Sequence, residues 1–151
     1  MSEENKRLAR RALEEIYSKG DLEVVDELVH PEFVDHEPAH PELPVGPDSV
    51  RQTVESLHET FSDLRFEVLQ EVAEADRVVQ LVTMSGRHTG PMMGRPPTGR
   101  EFAVRHTYWW RVADGRLVEH WGSRDDVGLL TQLELFPGWS NRGPEPPANR
   151  P

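Results

Sequence analysis

The chain contains no cysteine. That absence excludes a disulfide scaffold, a thiolate zinc site and a cysteine nucleophile together, and it suits a reducing interior. Positive charge is also scarce. Seventeen lysines and arginines stand against 27 aspartates and glutamates, a net charge of −10. A protein this acidic repels phosphate backbones, so no nucleic-acid partner is expected. No apolar run is long enough to span a bilayer, and no signal-peptide core follows the charged start MSEENKR. A cytoplasmic domain without a membrane partner is the expectation. Repeats are absent too. What is present is 151 residues, enough for one domain with a core and a pocket. Residues 137–151 hold five of the 13 prolines and little apolar surface. They read as a dispensable tail behind a domain spanning 1–136.

The N-terminal half carries helical periodicity. Leu8, Ala12, Leu13, Ile16 and Tyr17 predict a helix over Ser2–Lys19, stopped by Gly20. Asp21 can cap a second helix that Pro31 ends. Phe33–His36 reads as a short strand and Glu37–Gly46 as a Pro-rich loop. Pro47 opens a third helix that runs to about Phe61. The period then changes from helical to alternating. Leu64–Val72 and Arg77–Met84 form a hairpin, Ser85–Arg100 a loop rich in Gly, Pro and Met, and Glu101–Val112 a strand. Asp114-Gly115 turns the chain into Arg116–Asp125, and Val127–Leu135 makes a last helical turn or two. Helices followed by strands predict an α+β fold: about three N-terminal helices covering a curved antiparallel sheet, with a pocket between them.

His36-Glu37-Pro38-Ala39-His40 matches the H-E-x-x-H metalloprotease pattern in letters only. The motif works on a helix, and Pro38 and Pro41 forbid one. No metal is expected.

The last hairpin is the most informative stretch. A two-residue turn at Asp114-Gly115 pairs Trp110 with Glu119, Tyr108 with Trp121, His106 with Ser123 and Val104 with Asp125. One face then collects Phe102, His106, Tyr108, Trp110, Glu119, Trp121 and Asp125. The other takes His120, Trp109 and Val118. The first face is the more apolar and is expected to line the interior. A desolvated carboxylate there gains a raised pKa and becomes usable as a general acid or base. Alternatives stay open on the hairpin alone. Asp125 can be a helix cap, Glu119 an arginine's partner, and His106 a satisfied core histidine.

Three stretches carry a resemblance: Gly86–Arg100 with its H-T-G and P-P-T-G motifs, Tyr108–Trp121 with D-G-R-L-V-E-H-W, and Asp125–Leu133. In this ordered set the chain resembles the SnoaL-like polyketide cyclases of the nuclear transport factor 2-like superfamily, over roughly Leu8 to Leu133. The resemblance implies a cone-shaped α+β barrel with a deep pocket. It also implies ring closure by intramolecular aldol condensation with no metal or organic cofactor. One aspartate near the end of the last strand would be the acid/base, and the matching position is Asp125. Asp126 is read as pointing to the other face. His106 or His36 would then donate to the enolate oxygen. Phe102, Tyr108, Trp110, Glu119, Trp121 and Met92 would enclose a small apolar or aromatic substrate, beneath a flap from His88 to Gly99. Two rival readings are a hydrolase or hydratase like limonene epoxide hydrolase, and a non-catalytic small-molecule binding module. A homodimer or tetramer is expected through an outer-face patch of Trp109 and Val118.

Overall fold

The computed structural model describes residues 2–38 and 40–136. The proposed tail lies outside the described residues. α1 (Ser2–Arg11) runs directly into a wider π-helical stretch, Ala12–Ser18. Of the predicted stripe it buries Ala12, Leu13 and Ile16, together with Ala9, while Leu8 and Tyr17 are partly buried against the core, and Gly20 ends it at φ +71°. Asp21 accepts the Glu23 N–H at 3.1 Å and starts a 3₁₀ turn, Leu22–Val24, that becomes the short α2 (Val25–Leu28). This second helix ends earlier than periodicity suggests, because the chain is already extended in β1 (Val29–Asp35). Pro31 therefore sits inside a strand. It is tolerated because β1 is an edge strand whose pairing is irregular between Val29 and Val34.

α3 (Pro47–Thr60) has its proline in the first turn, where no backbone donor is lost. There follow β2 (Phe61–Glu74), β3 (Arg77–His88), β4 (Glu101–Ala113) and β5 (Arg116–Ser123), then α4 (Asp126–Gln132). The sheet order is β1-β5-β4-β3-β2. β2 to β5 pair antiparallel, and β1 joins β5 in parallel. The predicted α+β fold is present, with helices covering the concave face of a curved sheet. The sheet stays open rather than closing into a barrel. Between the layers lie Leu13, Ile16, Phe33, Val54, Val78, Val82, Trp110 and Leu117, all essentially without solvent contact. Each such side chain contributes about 1.5–3 kcal/mol by leaving water. Among the described residues no helix is long and apolar enough to cross a membrane.

One local feature redirects the site. The hairpin begins as predicted, with Ala113 opposite Arg116 and Val112 opposite Leu117. The register then shifts, and Arg111 faces Glu119, Trp110 faces His120, Trp109 faces Trp121 and Tyr108 faces Gly122. Val118 is the extra residue of a β-bulge. Leu117 and Val118 are both buried, at 1% and 6% exposure, which strict alternation forbids. A one-residue shift sends every later side chain to the opposite face. Glu119 and Trp121 consequently lie outside, and His120 lies inside.

Candidate active site

A cavity of about 370 Å³ opens between the helices and the concave face of the sheet. Leu13 and Tyr17 of the π-helical stretch and Thr53, Ser56, Leu57 and Thr60 of α3 form one wall. Phe66, Met84, His106, Tyr108, Trp110 and His120 form the other. Asp35 stands at the end of β1. His40, Met92, Met93, Arg124 and Asp126 edge the opening.

The central group is His120. Its backbone partner across the parallel ladder is Asp35, and its Nδ1 lies 3.0 Å from Asp35 Oδ1. The same carboxylate oxygen accepts the Glu37 backbone N–H at 2.9 Å. Burial pushes the Asp35 carboxyl up. The hydrogen bond and charge of His120, the Glu37 amide and the Arg124 guanidinium outweigh that, and hold it below the usual carboxylate range. Asp35 is therefore ionised at neutral pH. It accepts the His120 Nδ1 proton, which fixes the orientation of the ring against the cavity. The imidazole packs between Trp110, with ring centroids 4.4 Å apart, and Tyr108, at 5.3 Å. Room for the ring depends on Gly122. A Cβ at that position would come within 3.2 Å of His120 and 3.3 Å of Tyr108.

A second histidine lines the same cavity. His106 is 3% exposed and its Nδ1 lies 2.7 Å from Tyr108 Oη. Desolvation by burial lowers its pKa to about 4, so it is neutral at pH 7. Its Nε2 is buried with no hydrogen-bond partner among the described residues. With the Tyr108 hydroxyl donating to Nδ1, Nε2 carries the proton and is a donor awaiting an acceptor. Burial raises the Tyr108 and Tyr17 phenols well above their ordinary values, so both remain protonated donors.

Of the residues singled out in the sequence, His106, Tyr108, Trp110 and Met92 line the cavity. The others lie elsewhere. Asp125 is exposed, and its Oδ1 accepts the Gly128 N–H at 2.8 Å as the cap of α4. The expectation that it faces an apolar interior is corrected, because β5 ends at Ser123 and the strand alternation does not extend to it. Its neighbour Asp126, assigned to the far side, is the one at the cavity mouth. Glu119 lies on the outer face between His36 Nε2, at 2.7 Å, and the Arg111 guanidinium. These two partners hold its carboxyl below the usual range. His36 stacks on Trp121 at 4.7 Å and 9°, with Arg77 also over that indole. Both His36 and Trp121 are therefore outside the pocket, Trp121 carried there by the bulge and His36 stacked on it. Phe102 packs under Phe61 at 4.7 Å. His88 is fully buried, accepting the Thr98 N–H at 3.1 Å, where it secures the loop that carries Met92. His36 and His40 do not converge, and no group of His, Asp or Glu among the described residues is placed to hold a metal ion.

Sequence reasoning missed His120, Asp35, Arg124 and Asp126. One signal was available for His120. The adjacent apolar pair Leu117-Val118 breaks the alternation, and reading it as a bulge turns His120 inward. Asp35 had no comparable mark.

A curved sheet under helices, with a histidine–carboxylate pair on the floor of a largely apolar cavity, is a small α+β pocket protein with the groups that acid/base chemistry uses. Comparison with known proteins makes this specific. The model of the SnoaL-like polyketide cyclase family matches residues 7–133, and the chain belongs to that family. It is 30% identical over 118 residues to the nogalonic acid methyl ester cyclase of Streptomyces nogalater, covering 78% of this chain and 88% of that one. It is 30% identical to the aklanonic acid methyl ester cyclase AcmA of Streptomyces galilaeus, covering 90% and 96%. Among solved structures, TsrD from Streptomyces laurentii superposes with a TM-score of 0.79 at 30% identity, over 88% of this chain and 96% of that one.

Proposed function

We propose that this enzyme closes a ring in a flat, polyketide-derived ester by intramolecular aldol condensation without a cofactor, with His120 as the acid/base group. The observation that carries the reading is the His120–Asp35 pair at 3.0 Å, exposed to a cavity whose other walls are mostly apolar and aromatic. His120 Nε2 takes a proton from a carbon flanked by carbonyls. His106, whose ring lines the cavity, turns its Nε2–H to the resulting enolate oxygen. The enolate carbon attacks a ketone of the same molecule, forming one C–C bond. The new alkoxide recovers the proton from the His120 imidazolium, so substrate and product are isomers. Asp35 stabilises the imidazolium and holds the ring in orientation. Tyr108 and Trp110 supply flat contact area for a fused-ring substrate.

His120→Gln and Asp35→Asn test this with nogalonic acid methyl ester and aklanonic acid methyl ester, the compounds in the relatives' names. Each is expected to lower kcat by about 100-fold or more, the range for a lost general base. Turnover within a few-fold of wild type in His120→Gln would overturn the assignment. Saturable binding without turnover in the wild-type protein would favour a binding module.

The outer face supports self-association. Trp109 is 47% exposed, and beside it Trp121 and Arg77 line a shallow depression. Val118, expected to share that patch, is buried by the bulge and takes no part. Light scattering at micromolar concentration is expected to show at least a dimer of the 17.3 kDa chain; a monomer would remove the claim.

A further inference from the structure

The inward-facing row of β3 is Val78, Gln80, Val82 and Met84, and every member is buried. Gln80 is the single polar side chain in that row, at 0% exposure. A valine or leucine would fill such a site at lower cost, because a buried amide must have both ends bonded. Here they are. Gln80 Oε1 accepts the Trp110 indole N–H at 2.9 Å, and Gln80 Nε2 donates to Glu71 Oε2 at 3.2 Å. Glu71 is in turn paired with Arg10 at 3.1 Å. The chain of contacts thus runs from the surface of α1 to the indole. On its other side that indole meets His120, with ring centroids 4.4 Å apart and planes inclined at 43°.

We propose that Gln80 is a positioning residue for His120: it fixes the Trp110 ring so that the indole π-system stabilises the imidazolium formed when His120 takes up a proton. This rests on the reading of His120 as the base. An aromatic ring within about 6 Å of a cation attracts it, more strongly where water is excluded. Without an acceptor, the buried indole N–H would draw the ring toward another partner and loosen that contact. The other titratable and charged groups around His120 are Asp35 from β1, His106 and Tyr108 from β4, Tyr17 from the N-terminal helix, and Arg124 and Asp126 at the opening. None of them is hydrogen-bonded to Gln80, and Tyr108 is its partner across the β3–β4 ladder.

The test is the titration of His120 followed by NMR in ligand-free protein labelled at histidine, with His120→Gln identifying the resonance. Gln80→Leu is expected to lower the His120 pKa by about half to one unit, and to reduce kcat more than it changes KM. An unchanged titration, to within about 0.2 unit on the scale of such contacts, would overturn the proposal. If Gln80→Leu fails to fold, Gln80→Met, which keeps the side-chain length but removes the amide acceptor of the indole N–H, is read in the same way, and a second comparison checks the route. Trp110→Phe has no N–H to anchor, so Trp110→Phe and the Trp110→Phe/Gln80→Leu double variant should titrate alike. A difference between them would mean that Gln80 acts by another route. The two readings fail separately. Retained turnover in His120→Gln removes the base but leaves the NMR result standing, whereas an unmoved titration with an inactive His120→Gln removes only the role of Gln80.

Discussion

Two histidine–carboxylate pairs sit back to back across one sheet, built from consecutive residues of β5 and from Asp35, the last residue of β1, and His36, the residue after it. His120 and Asp35 meet on the inner face at 3.0 Å. Glu119 and His36 meet on the outer face at 2.7 Å. The chemical groups are the same type and the outer contact is the shorter, so distance does not distinguish them. Surroundings do. Inside, side-chain exposure is 9% for the histidine and 15% for the carboxylate. The imidazole lies between two aromatic rings and lines a cavity. Outside, exposure is 38% and 22%, Arg111 holds the carboxylate as well, and the ring is stacked flat on Trp121. A surface pair screened by water is worth at most about 1 kcal/mol. A buried pair facing an apolar cavity can hold and return a proton.

The largest effect should come from removing what separates the pairs. Deletion of Val118 would erase the bulge and turn Glu119 and Trp121 inward, with His120 outward. Glu119 would lose His36 and Arg111 and be buried without a partner, at a cost of about 3–5 kcal/mol. Loss of cooperative thermal unfolding, followed by circular dichroism, is the expected result. A folded and active deletion variant would show that the bulge does not set the site.

The next contrast compares the pairs directly. Glu119→Gln and His36→Gln should leave kcat within about threefold of wild type and lower stability by about 1 kcal/mol or less. His120→Gln and Asp35→Asn should lose about 100-fold in kcat. If all four variants fell equally, the pairs would share a function and burial would not be the deciding difference.

A third test uses pH. The His106 pKa falls on folding from the ordinary 6.5 to about 4. Between those values the unfolded chain binds a proton that the native protein refuses, so stability drops as pH falls through this window. The full effect is on the order of 3 kcal/mol. His106→Gln should flatten the decline between pH 6.5 and 4. Below that window Asp35 acts in the same direction, since its lowered pKa gives stability that is lost on protonation. That acid limb should survive in the variant. Equal slopes for both proteins in denaturant titrations across the window would refute the assignment.

These contrasts also show what the sequence made legible. Helical spacing of Ala12, Leu13 and Ile16, the proline in the first turn of α3 and the Asp114-Gly115 turn located the elements, because each is a local preference acting over a few residues. His106, Tyr108 and Trp110 fell on the right face because β4 alternates without interruption. β5 does not alternate, and everything beyond Val118 was assigned to the wrong side. Asp35 was hidden for another reason. Its partner comes from a strand paired in parallel over a sequence separation of 85, and no local pattern records such a contact. The Trp110–Gln80 bond likewise appears only when β3 and β4 are laid side by side.

The smallest expected effect concerns Asp125, the position that family resemblance favoured. In the structure its carboxylate receives the Gly128 N–H at 2.8 Å, and α4 starts at the next residue. Gly128 is shaped to this contact: a Cβ there would lie 2.2 Å from Asp125 Oδ2. A cap and a base respond differently to the same substitution. Asparagine caps a helix about as well as aspartate, while alanine loses about 1 kcal/mol. Asp125→Asn should therefore hold both its melting temperature and its kcat close to wild type, and Asp125→Ala should lose stability but little turnover. Gly128→Ala should reproduce the loss of Asp125→Ala by pushing the carboxylate off the amide. A kcat that collapses in Asp125→Asn while the fold persists would give the proton transfer back to this aspartate. It would also mean that the loop holding it swings inward when substrate binds. Matched activities would leave His120 as the group that the buried pair has prepared for the chemistry.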